Sequence, residues 1–159
     1  GRVGSEVARR AQSLSMRLLA YDPFVSPDYA RVLGVELVPL EDMLAGADFL
    51  TIHTPSSDST RHLIGAEQLA AMKPTARLIN VARGELVDEE ALLGALNDGK
   101  LAGVYLDSFQ REPYTGPLKN CPQALLTPHA GSSALECRNA MELEAVQNLV
   151  YHLKRGTQG

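Results

Sequence analysis

Apolar positions along the chain alternate between a helical and an extended rhythm, with short polar punctuation between them. Val3, Val7, Ala8, Ala11 and Leu14 recur at three- and four-residue spacing, so the chain is expected to open on an amphipathic helix. Met16 to Tyr21 reads as a buried strand stopped by Asp22-Pro23, and Pro27 to Leu33 as a short helix. Val35 to Val38 is the next strand. Pro39 suits the first turn of a helix through Leu44, whose positive end would sit beside Glu41 and Asp42. Asp48 to Ile52 is a strand that runs into the polar loop His53 to Thr60. A helix over Ala66 to Met72 is broken by Pro74, and Arg77 to Val81 is again extended. Asp88 stands where an N-cap would, ahead of Glu89, Glu90 and Leu92, and Gly99 closes that helix. Gly103 to Leu106 is a strand ending at Asp107, a Pro- and Gly-rich loop covers Glu112 to Pro122, and Ala124 to Thr127 is the last strand. A final helix is expected from Ser133 to Arg155, stopped by Gly156, with Leu135, Met141, Ala145, Leu149 and Leu153 on its apolar stripe. Strands alternating with helices predict an α/β domain built on a parallel sheet.

Composition narrows the partners. The 159 residues are 45% apolar and 21% charged, ordinary for a folded chain of one domain, taken here as residues 1–159. The net charge of −4, without a basic block, argues against nucleic acid or an anionic membrane as partner. No apolar run approaches the ~20 residues of a membrane span. Cys121 and Cys137 have no metal-ligand spacing and are too few for a disulfide scaffold, which makes the cytoplasm the expected compartment. No spacing of His, Cys or acidic residues points to a metal. The chain starts at Gly1 rather than a methionine, and Gly1-Arg2-Val3-Gly4 reads as the middle of a longer protein.

Residues able to do chemistry gather at predicted strand ends: Asp22, His53, Arg83, Asp107 and His129. In open parallel sheets, ligands bind outside those ends. Gly1-Arg2-Val3-Gly4 before a helix is compatible with the last four positions of the Gly-x-Gly-x-x-Gly dinucleotide fingerprint, and equally with a plain glycine turn. Asp22 follows Gly4 by 18 residues, where an acid can accept both ribose hydroxyls; an ordinary Asp-Pro turn explains it as well. His129, Glu112 and Arg83 make a chemical set. An imidazole can move a proton, a carboxylate can orient it, and a guanidinium can grip a substrate carboxylate at two points. Each also has a plain reading as a loop charge or a structural histidine, the reading given to His62 and His152.

The order of these motifs resembles the NAD-binding domain of the D-isomer-specific 2-hydroxyacid dehydrogenases over essentially the whole chain. The likeness rests on the fingerprint end, Tyr21-Asp22-Pro23, His53-Thr54-Pro55, Asn80-Val81-Ala82-Arg83-Gly84-Glu85-Leu86-Val87-Asp88, Leu106-Asp107 with Glu112-Pro113, and Thr127-Pro128-His129. It implies a Rossmann-like, doubly wound parallel sheet with helices on both faces, lacking its first strand here, and lacking the substrate domain. Met16 to Tyr21 and Asp48 to Ile52 would then flank the position of that strand without pairing directly. The resemblance implies NAD as cofactor and a small 2-hydroxy or 2-keto acid as substrate, with a homodimer for the full-length protein. His129 would be the general acid/base, Glu112 its partner, and Arg83 the binder of the substrate carboxylate. Gly1, Arg2, Val3 and Gly4 would line the pyrophosphate, Asp22 the adenosine ribose, and Asp107 the nicotinamide carboxamide. His53, Thr54, Pro55, Thr60, Val81, Ala82 and Gly131 would complete the cofactor pocket, which Arg83 and His129 also border. Ser108 departs from the family pattern, where valine is common. The segments 112–118 and 141–146 look like forms acting on 3-phosphoglycerate. An NAD-binding corepressor-like relative, or a non-catalytic fragment, remains the alternative.

Overall fold

In the computed structural model, residues 1–156 are described, with side chains through Lys154. The first helix, α1 (Arg2–Ser13), carries no acidic residue in its first turn and no side-chain cap. Strand β1 (Leu18–Ala20) leads to α2 (Pro27–Val32), where Ser26 caps the Tyr29 N–H and Pro27 occupies the first turn. Then come β2 (Val35–Leu37), α3 (Leu40–Gly46), β3 (Phe49–Ile52), α4 (Ala66–Ala71) and β4 (Arg77–Asn80). Helix α5 (Glu89–Asn97) begins on Asp88, whose Oδ1 accepts from the N–H groups of Glu90 and Ala91. It ends at Gly99, with φ of 67°, a left-handed turn that favours glycine. Strands β5 (Gly103–Leu106) and β6 (Ala124–Leu126) follow, then α6 (Leu135–Gly156).

The strands form two parallel sheets. Strands β1 and β2 pair from Leu18↔Val35 to Ala20↔Leu37, and the other sheet runs β3-β4-β5-β6, with Leu50↔Leu78 and Leu78↔Val104 in register. Among the described residues β1 and β3 share no ladder, as expected for strands that flank a further one. The strand expected over Met16 to Tyr21 is shorter, because its partner β2 is itself only three residues long. Two single-turn 3₁₀ segments, Gly84–Leu86 and Pro117–Asn120, lie where the apolar positions carry no helical rhythm.

The core fills the four-stranded sheet and its helices. Leu78, Leu86 and Leu92 have no exposed surface, and Leu69, Leu96 and Leu106 retain 1% each. Among the described residues no helix is long and apolar enough to cross a membrane.

Residues 1–128 and the described residues from His129 onward form two compact units. The second opens on His129 in the left-handed region, φ 53°, followed by a turn in which Ser133 N–H donates to the Ala130 carbonyl. That turn delays α6 to Leu135, two residues beyond its expected start. Gly156 is the last described helical residue; whatever stops the helix lies outside the described residues.

Candidate active site and cofactor cleft

Three segments of the first unit meet at the carboxyl ends of β3 and β4. Val3 from the first turn of α1, His53 to Ser56 after β3, and Val81 to Arg83 after β4 line a cleft of about 470 Å³. A helix N-terminus without acidic residues or a side-chain cap leaves backbone N–H groups and a positive field at the rim, the usual setting for a phosphate. A Cβ built on Gly4 would meet His53 Cβ at 3.5 Å, ordinary contact, so crowding by protein atoms does not account for this glycine. The cleft, the open helix end and the small residue beside them fit the pyrophosphate and nicotinamide half of a dinucleotide.

His53 hydrogen-bonds through Nε2 to Thr51 Oγ1 at 3.0 Å, and burial pushes its pKa below the ordinary histidine value. It stands in the wall of the cleft, where burial favours its neutral form. Thr60 lies off that wall and folds the loop instead: its hydroxyl donates to the Pro55 carbonyl at 2.9 Å and accepts from Ser57 N–H at 2.8 Å. Asp22, two residues beyond β1, accepts from the N–H groups of Phe24 and Val25 through Oδ1 at 2.9 and 3.2 Å, which orients its carboxylate at the strand end.

The loop carrying Arg83 is shaped from within by Asn80, a fully buried side chain at the end of β4. Its amide donates to the Arg83 carbonyl at 2.8 Å while its Oδ1 accepts from Ala82 N–H at 3.1 Å. The backbone at Arg83 is thus set, and the exposed guanidinium donates to the Ala82 carbonyl at 2.7 Å. Next door, Asp107 is 4% exposed and its Oδ1 accepts a 2.5 Å hydrogen bond from Thr127 Oγ1. Thr127 in turn accepts from the Tyr105 hydroxyl at 3.0 Å, since its own proton is committed to Asp107. Glu112 folds back on its loop, its Oε1 accepting from Phe109 N–H at 3.1 Å.

The structure thus brings Val3, His53, Thr54, Pro55, Val81, Ala82 and Arg83 to one cleft, with Gly4 against His53. His129 and Gly131 belong to the second unit, where both are exposed. Sequence reasoning quoted Asn80 without seeing its function as a clamp, and it passed over Thr127 as a partner for Asp107. Each had a faint signal: a polar residue directly at the end of an apolar stretch, Asn80 after Leu78-Ile79 and Thr127 after Leu125-Leu126.

Residues 1–131 match the family model described as the NAD-binding domain of D-isomer specific 2-hydroxyacid dehydrogenases. A glyoxylate reductase of Korarchaeum cryptofilum is 45% identical over 98% of this chain and 47% of its own length. A D-3-phosphoglycerate dehydrogenase of Synechocystis is 42% identical over 94% of this chain and 27% of its own. Among solved structures, a glyoxylate reductase of Paecilomyes thermophila superposes with a TM-score of 0.92 at 38% identity, covering 98% of this chain and 48% of that one. The NAD-complexed D-isomer specific 2-hydroxyacid dehydrogenase of Lactobacillus delbrueckii ssp. bulgaricus gives 0.83 at 33% identity, over 96% and 51%. The chain thus spans between about a quarter and a half of the length of these relatives. The fold agrees with these matches, and the chain belongs to the NAD-dependent D-isomer specific 2-hydroxyacid dehydrogenases, through their NAD-binding domain.

Proposed function

We propose that, in the full-length protein, this domain serves hydride transfer between NAD and C2 of a D-2-hydroxy acid or the matching 2-oxo acid. The observation that carries the reading is Arg83: a guanidinium on a backbone clamped by buried Asn80, at the cleft that fits the nicotinamide half of the cofactor. When bound, NAD supplies or accepts the hydride. Arg83 grips the substrate carboxylate bidentately and polarises the 2-oxo group. His129 exchanges the hydroxyl proton, with Glu112 as its partner. These two roles follow from the Glu112-Pro113 and Thr127-Pro128-His129 motifs. Gly1 to Gly4 hold the pyrophosphate, Asp22 the ribose hydroxyls and Asp107 the carboxamide.

Among the described cleft-lining residues Arg83 is the single cation, which matches one carboxylate and supports a small 2-oxo acid such as glyoxylate. The similarity to D-3-phosphoglycerate dehydrogenases supports 3-phosphoglycerate as the second reading; its phosphate would need cations from outside this cleft. A panel of 2-oxo acids assayed with NADH separates the two. A cytoplasmic homodimer completes the reading, and the two unpaired cysteines suit a reducing compartment. Residues 1–159 alone should bind NAD weakly and show no turnover.

The test is His129→Ala and Arg83→Lys in the full-length protein. His129→Ala should lower kcat by about 10²–10⁴-fold with NADH affinity retained. Arg83→Lys should raise KM and lower kcat, since lysine lacks the planar two-point grip. Near-normal turnover in His129→Ala would overturn the assignment.

A further inference from the structure

Two loops bear on the proposed reaction: the one after β4, with Arg83, and the one after β5, with Glu112. They touch backbone to backbone. A Cβ on Gly84 would fall 1.9 Å from the Phe109 carbonyl carbon and 2.3 Å from the Gln110 nitrogen, so only glycine permits the approach. Gln110 is then tied down twice. Its N–H donates to Glu89 Oε1 at 2.8 Å, in the first turn of α5, and its side-chain amide donates to the Val87 carbonyl at 2.9 Å. The same amide nitrogen lies 3.3 Å from His62 Nε2, while His62 Nδ1 faces Asp88 Oδ2 at 3.8 Å. His62 is itself pinned, in a left-handed conformation of φ 51°, by its N–H on the Glu85 carbonyl at 2.8 Å.

Glu112 takes its position from this same point, because its carboxylate accepts from the N–H of Phe109. A shift of the Phe109–Gln110 peptide therefore moves Glu112, while Arg83 stays on the far side of the Gly84 contact. We propose that Glu89 and Gln110 are positioning residues that set Glu112 relative to Arg83, by anchoring the β5 loop to the start of α5. The inference rests on the functional reading given above. Neither residue touches the cleft, so neither acts on substrate or cofactor directly.

The test uses the full-length protein, with kcat, KM, NADH affinity and the pH profile of kcat measured for Glu89→Ala, Glu89→Gln, Gln110→Ala and Glu112→Gln. Misplacement by about 1 Å can cost up to about 10²-fold in rate, so a partial release should lower kcat about ten-fold in Glu89→Ala. NADH affinity should hold, and the limb of the profile that reports the acid/base group should shift. Glu89→Gln retains an acceptor for the Gln110 N–H and should recover most of kcat. A helix defect from loss of charge at the α5 N-terminus would not be repaired by glutamine. Should Glu89→Ala fail to fold, Gln110→Ala carries the test, since it leaves the α5 charges in place and should show the same kcat loss and shift. Normal kcat and an unshifted profile in Gln110→Ala and any folded Glu89→Ala, with Glu112→Gln impaired, would overturn the anchoring role alone. Normal kinetics in Glu112→Gln would overturn the functional reading of that carboxylate, and the anchoring role with it.

Discussion

Replacing Thr127 by valine removes one hydroxyl and little else, because the two side chains share a shape. The hydroxyl is committed at both ends, donating to Asp107 Oδ1 at 2.5 Å and accepting from Tyr105 at 3.0 Å. Asp107 is 4% exposed, so water cannot readily take the lost place. Hydrogen bonds to charged groups are worth about 1.5–3 kcal/mol, and the partly exposed Tyr105 hydroxyl can turn to solvent. Thr127→Val should therefore destabilise the domain by about 2 kcal/mol, which for a domain of this size lowers Tm by about 4–8 °C. Urea unfolding followed by circular dichroism is the assay, since the chain has no tryptophan. The midpoint should fall with the slope unchanged. Thr127→Ser keeps the donor and should lie close to wild type. A double-mutant cycle with Asp107→Ala should give a coupling above about 1 kcal/mol. A Thr127→Val variant within about 0.5 kcal/mol of wild type would refute the claim that the threonine holds the carboxylate.

Ser108 Oγ is the one buried side-chain oxygen without a hydrogen-bond partner among the described residues, so Ser108→Ala should be neutral or stabilising by up to about 1 kcal/mol; a clear loss of stability would show a partner. Burial lowers the pKa of His53, so the unfolded chain takes up its proton first. Stability should then rise with pH and be lost as pH falls through about 6.5 toward the lowered folded value, a slope that His53→Gln should flatten. Asp22, with its carboxylate oriented by Phe24 and Val25 N–H, should repel a 2′-phosphate; kinetics should favour NADH over NADPH, and Asp22→Ala should narrow the ratio.

The parallel sheet and its helices were legible because each was written in a strong local code. Asp88 and Gly99 bracket α5 by capping chemistry, and the apolar run Gly103 to Leu106 can only be a covered strand. The 3₁₀ turn at Gly84–Leu86 left no such trace. It forms because Asn80 and the approach of Phe109 shape the chain there, and both act from outside the segment. The same holds for the site. Strand-end position marked Asp22, His53, Arg83 and Asp107 as candidates, whereas the contacts that hold their loops are single side-chain bonds, some local, as Asn80 to Arg83, and some from another segment, as Thr127 to Asp107. Nothing in the sequence pattern singles out Glu89 or Gln110, since their contact joins α5 to a loop 21 residues later.

That asymmetry has a physical origin. A strand is stabilised by burying apolar surface, a term carried by its own residues and so visible in its own sequence. The loops after β4 and β5 anchor a few apolar side chains, Leu86, Val87, Phe109 and Leu118, but between those anchors their backbone groups are satisfied through single side chains: Asn80 for Ala82 and Arg83, Glu112 for Phe109, Glu89 for Gln110. Each such bond contributes only about 1 kcal/mol net, too little to create an element but enough to choose among loop conformations of similar energy. Substitution at these positions should therefore leave the fold standing while altering where Arg83 and Glu112 sit.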